Sequence, residues 1–150
     1  MKPDHPKTLA RFASPGELLK RPMAVATRIR LRAVSDDDPV YLARVRQCMC
    51  VCCGLDPACV AAHVRMQSGA HGKRSGMGKK PADKWALPVC QACHTDDPDS
   101  QHRIGEIAFW DRVGLNPILL CERLYAQRGD LLAMRAVIML AISERGRAIT

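Results

Sequence analysis

Trp85-Ala86-Leu87-Pro88-Val89-Cys90-Gln91-Ala92-Cys93-His94 is an apolar run that ends in a Cys-x2-Cys pair and delivers a histidine directly after the second cysteine. A matching pair, Cys50 and Cys53, stands upstream in Cys50-Val51-Cys52-Cys53-Gly54. A two-residue gap lets both sulfurs of a tight knuckle face one ion, and two such pairs complete the tetrahedral thiolate set that zinc prefers. Cys48 or Cys52 could replace an upstream ligand, but the spacing match to Cys90/Cys93 and the glycine at 54, suited to the positive φ after a knuckle, favour Cys50 and Cys53. A redox Cys-x2-Cys enzyme needs one pair in a βαβ setting, which this pattern lacks. The spacing predicts a structural zinc clamp with His94 on its last tooth.

Working outward, residues 56–65 are small and β-branched, 66–84 form a loop with four glycines, and Trp85 to Val89 is apolar again. That is a hairpin with a long tip. Upstream, Asp38-Pro39 is a good helix start, with Leu42 and Val45 on one face. Downstream, Asp96, Asp97, Pro98 and Asp99 make a turn before a helix that runs to Trp110. Asn116-Pro117 restarts a helix, and Gly129-Asp130 breaks it and caps a last one from Leu131 to about Arg145. This last helix is apolar nearly all round and wants burial against the others or against a second subunit. Residues 1–34, with four prolines among scattered charges, read as a mobile basic arm ending in an alternating strand-like run, Arg28 to Arg32. The expected class is α+β: the arm, a zinc-stapled domain over 35–125, and a C-terminal helical segment over 126–150.

A chain of 150 residues leaves room for one domain with a modest core, which a metal would help to hold. Its net charge of +8 points to a polyanionic partner, nucleic acid above all. Eight cysteines in so short a chain raise the alternative of a secreted disulfide scaffold. The N-terminus carries no apolar run of the signal-peptide kind, so a reducing, cytoplasmic compartment is expected. Cys48, Cys52, Cys59 and Cys121 then read as spare thiols or small core residues. The longest apolar stretch, Leu131 to Ile142, is interrupted by Arg135 and too short to span a bilayer, so no membrane role is expected.

Among the histidines, His5 falls in the arm and His71 reads as a solvated loop residue. His63 ends the first hairpin strand, His94 follows a zinc ligand and His102 lies in the next helix, so the clamp can bring all three to one side of the hairpin. Arg65, Lys73, Arg74, Lys79, Lys80 and Lys84 stand against Asp83 alone, and the loop glycines let backbone approach a phosphate. Such contacts position a duplex without reading its sequence. Glu106, four residues after His102, falls on the same face of a continuous helix and could accept the second imidazole proton.

Taken together, Tyr41 to Arg46, Cys50-x2-Cys53-Gly54, Ala61-Ala62-His63-Val64-Arg65, Gly76 to His94 and His102-x2-Gly105-Glu106-x2-Phe109-Trp110 resemble the HNH, or ββα-metal (His-Me finger), endonucleases. The likeness is greatest to phage- and prophage-encoded members, including recombination-associated nucleases of the Ref type. It covers more than half the chain, and implies a DNA endonuclease of low sequence specificity in a bacterial cytoplasm, acting in phage or mobile-element DNA processing. The resemblance makes His63 the general base, with His94 and then His102 as ligands of a catalytic divalent ion, Mg2+ or another. It also implies DNA, and a recombinase filament, as partners; a homodimer would allow cuts in both strands. Two positions depart from the family. Ala62 stands where many members have an Asp or His ligand, leaving the ion to His94, His102 and water, or making His63 a ligand. Asp83 is the nearest candidate for the residue that orients the base. The alternatives are a zinc-stabilised nucleic-acid-binding module without catalysis, and a protein-interaction module that uses the apolar last helix.

Overall fold

Asp38 starts the first described helix as a capping carboxylate: its Oδ1 accepts the Tyr41 N–H at 2.9 Å, and Pro39 fills the first turn of α1 (Pro39–Val45). The computed structural model describes residues 36–56, 58–73 and 78–147. The expected arm and strand before residue 35, and Arg74, lie outside the described residues. Helix α1 buries Tyr41, Leu42 and Val45, and the Tyr41 hydroxyl donates to the Ala86 carbonyl at 3.0 Å, tying the helix to the following sheet.

That sheet has two antiparallel strands, β1 (Cys59–His63) and β2 (Ala86–Cys90), with Cys59 opposite Cys90 and His63 opposite Ala86. All five residues of β2 are buried, which explains why it reads as an unbroken apolar run rather than an alternation. It packs against α1 and against α4 (Pro117–Ala126). The long connection carries a 3-10 turn at Gly69–His71 and a second at Asp83–Trp85, which feeds β2 directly. His71 Nδ1 lies 2.9 Å from Glu122 Oε2, fastening the tip onto α4. His71, expected as a solvated loop residue, thus has a protein partner while its side chain stays partly exposed.

Beyond β2 the chain makes a π turn at Ala92–Asp96, then α2 (Gln101–Ile104) and α3 (Glu106–Val113). The single helix expected through His102 and Glu106 is broken at Gly105, whose φ of 86° and ψ of 154° are open only to glycine. Asn116 and Asp130 behave as their sequence contexts predict. Asn116 Oδ1 accepts from Ile118 N and Leu119 N at 3.1 Å to start α4, and Asp130 Oδ1 accepts from Leu132 N and Ala133 N to start α5 (Leu131–Arg147).

The core gathers Tyr41, Val45, Leu87, Val89, Phe109, Trp110 and Leu124, and α5 closes it with Met134, Ile138 and Ala141. The opposite side of α5 leaves Leu132, Met139 and Leu140 exposed. No described helix is long and apolar enough to cross a membrane. Truncating Met134 to Ala should lower stability by about 2–5 kcal/mol, the cost of a core cavity. Leu132→Ala, at a side chain 77 % exposed, should stay within about 0.5 kcal/mol in the same urea titration.

Candidate metal centre and histidine cleft

The Sγ atoms of Cys50, Cys53, Cys90 and Cys93 all lie within 4.8 Å of one another, and Cys53 and Cys90 are 3.9 Å apart. Bonds of about 2.3 Å at tetrahedral angles put zinc-bound sulfurs about 3.8 Å apart, so the cluster fits such an ion. Its two knuckles form for different local reasons. In the first, Gly54 takes a φ of 73° while its N–H closes onto the Cys50 carbonyl at 2.9 Å. In the second, β2 ends at Cys90 and the π turn swings Cys93 back. The Cys90 N–H donates to Cys50 Sγ at 3.3 Å, linking the halves. These four thiols can hold a metal such as zinc. Cys48, Cys52, Cys59 and Cys121 are not part of the set.

Without a metal the thiols are unequal. A hydrogen bond from the Cys52 thiol pulls Cys50 down to about 4, against the opposing effect of its burial. Burial pushes Cys53 and Cys93 up, and the neighbouring sulfurs add to the rise.

A cleft of about 440 Å3 is lined by His63, Arg65, His94, Gln101, His102 and Glu106, together with Val60, Ala61 and Ala62. His63 reaches it from the end of β1. Its Nε2 is 3.0 Å from Asp83 Oδ1, supplied by the 3-10 turn across the hairpin. Asp83 is 2 % exposed. Burial alone would raise its pKa. Hydrogen bonds from Lys80 Nζ at 2.8 Å, from the Asp38 N–H at 2.8 Å and from His63 outweigh that and hold it below the usual carboxylate range. An ionised Asp83 accepts only, so Nε2 of a neutral His63 carries the proton and Nδ1 keeps the lone pair.

His94, in the π turn, and His102, on α2, bring their Nε2 atoms to 3.1 Å with the rings edge-on at 80°. Two imidazole nitrogens bound at about 2.1 Å and at a right angle to one ion would stand about 3.0 Å apart. Burial lowers the His94 pKa, and His102 lowers it further, which favours the neutral, ligating form. Ala62, buried opposite Leu87, offers no donor.

Several expected roles are corrected by packing. The Glu106 carboxylate does not serve His102: with Gly105 breaking the helix, it accepts the Arg65 N–H at 2.8 and 3.0 Å and clamps the chain two residues past His63. Lys73 is no surface phosphate contact. It is 2 % exposed, donates to the Met66 carbonyl and sits 5.8 Å from the Trp85 ring centre, and burial lowers its pKa. Lys80 is exposed but engaged with Asp83 and, at 3.4 Å, with Asp37. Arg65, Lys79 and Lys84 are exposed, the last lying 4.6 Å over the Trp85 ring. Gln101 went unnoticed in the sequence, where only its place before His102 hinted at the cleft. No protein-family model, curated protein or solved structure matches the chain.

The raised thiols at Cys53 and Cys93 set a proton cost on metal uptake. Both are protonated at neutral pH in the metal-free chain and must be thiolates in the bound one, so binding releases at least these two protons and tightens as pH rises. Zinc added to apo protein at pH 7 should release at least two protons per chain by pH-stat titration. Cys52→Ser should keep one zinc per chain, and Cys93→Ser should lose it.

Proposed function

We propose that the chain is a metal-dependent DNA endonuclease of the HNH type, with the four cysteines as a zinc scaffold and the cleft as its active site. One observation carries this reading: His63, whose ring meets Asp83, lines the same cleft as the His94–His102 pair, and His94 directly follows Cys93 of the cysteine cluster. The order of parts, hairpin and then helix with the histidines on either side, supports a ββα-metal core.

In this reading His63 is the general base. Its free Nδ1 takes the proton of a water molecule as that water attacks a phosphodiester in line. Asp83 fixes the ring and tautomer through Nε2, and its negative charge stabilises the imidazolium that results. Glu106 holds the backbone beyond His63 through the Arg65 N–H, limiting drift of the base. His94 and His102 would hold a divalent ion, which would supply charge stabilisation at the scissile phosphate and the departing 3′ oxygen. A pair of imidazoles suits a first-row transition ion better than Mg2+, which asks for oxygen. The family likeness implies 5′-phosphate and 3′-hydroxyl products.

Arg65 at the cleft, with Lys79 and Lys84 on the loop, meets the phosphate backbone, so cleavage has little sequence preference. The remaining parts of the proposal rest on the resemblance alone: a setting in phage or mobile-element DNA processing, a recombinase filament as partner, and a dimer for double-strand cuts. A non-catalytic, zinc-stabilised DNA-binding module is the second reading, favoured by the missing donor at Ala62.

Nicking of supercoiled plasmid by zinc-loaded protein, with Mn2+, Co2+ or Mg2+ added, tests the two. His63→Ala should lower the nicking rate by about 10²–10⁴-fold, the usual worth of a general base. Asp83→Asn should give a smaller loss, with zinc content intact in both. DNA binding without nicking by the wild type under every ion would favour the binding module.

A further inference from the structure

One residue that lines the cleft, Gln101, has a buried side-chain oxygen with no hydrogen-bond partner among the described residues. Gln101 opens α2 and is 7 % exposed, yet its Oε1 has no hydrogen bond, although the large majority of buried polar side-chain atoms have one. The amide's orientation is set by its other end. Nε2 faces Glu106 Oε1 at 3.5 Å, a long contact but one with a clear sign: turned over, the amide would set oxygen against a carboxylate oxygen. Glu106 is itself anchored by the Arg65 N–H. This chain of contacts therefore directs Oε1 away from Glu106.

Gln101 is the residue before His102 and lines the same cleft as His102 and His94, whose Nε2 atoms stand 3.1 Å apart. A neutral carbonyl oxygen deprived of N–H donors is stabilised by a cation, and it adds an oxygen to two imidazole nitrogens without adding charge. Ala62 supplies nothing in its place. We infer that Gln101 Oε1 is the third protein ligand of the divalent ion held by His94 and His102. This rests on the metal-binding reading of the cleft proposed above. Glu106 is then a positioning residue for the ion as well as for β1, because it decides which end of the amide is presented.

Cobalt binding, rather than cleavage, tests the assignment. Co2+ is titrated into the zinc-loaded full chain and its d–d absorption followed, while thiolate-to-cobalt charge-transfer bands report any exchange at the cysteines. Wild type should take up one Co2+ without those bands, and His94→Ala or His102→Ala should abolish the uptake. Gln101→Met, of similar length but lacking the oxygen, should weaken binding by about tenfold or more. Gln101→Glu, which restores an oxygen and adds charge, should bind at least as tightly as wild type, and it decides the matter alone if the Met variant does not fold. Unchanged affinity in Gln101→Met, or weakened affinity in Gln101→Glu, with uptake still lost in the histidine variants, would overturn the role of Gln101 and leave the histidine pair standing. Failure of the wild type to bind Co2+ at all would overturn both.

Discussion

Four sulfurs drawn from two distant knuckles lie within the reach of one ion, and this closeness organises the rest of the domain. A two-stranded sheet is marginal by itself in water, and a chain of this size buries a modest core. Bringing Cys50 and Cys53 against Cys90 and Cys93 pins the chain before β1 to the end of β2, so the hairpin is closed at the end away from its long tip. Where a metal ties such ends together, its binding energy is folding energy. The same turn that brings Cys93 back carries His94, so the geometry of the scaffold and that of the cleft cannot be set independently.

Asp83 plays the corresponding part on the far end of the hairpin. One buried carboxylate takes the Asp38 N–H, the Lys80 ammonium and the His63 ring, which joins the start of α1, the loop and the end of β1. Removing a charge from water is costly unless hydrogen bonds replace the lost solvent, and here they come from three separate segments. The cost of burying Asp83 is thereby turned into alignment of a single imidazole. Lys80 serves this arrangement while remaining exposed, and so its charge is only partly available to an external anion.

The basic loop illustrates how charge counted along a chain overstates charge offered at a surface. Lys73 is buried, its ammonium over the Trp85 ring, and the His71 ring meets Glu122. Arg65, Lys79 and Lys84 remain exposed. The formal excess of +8 belongs to the whole sequence, and among the described residues the positive face presented near the cleft is narrower than the loop composition implies.

By itself the sequence determined whatever depends on neighbours a few residues away. Asp38, Asn116 and Asp130 mark helix starts because a short polar side chain satisfies amides two or three positions on, and Gly54 marks the knuckle because only a local backbone angle is at stake. The spacing of Cys90, Cys93 and His94 is legible for the same reason. Tertiary structure decided the rest. Gly105 could have been tolerated inside a helix, yet it breaks one, and so separates Glu106 from His102. Whether Lys73 faces solvent, whether Glu106 meets a ring or a backbone N–H, and whether Gln101 keeps its oxygen free all turn on how the folded segments pack, with partners from 5 to 41 residues apart. Burial and hydrogen-bond partnership are properties of the packed assembly, and no local pattern of residue types encodes them.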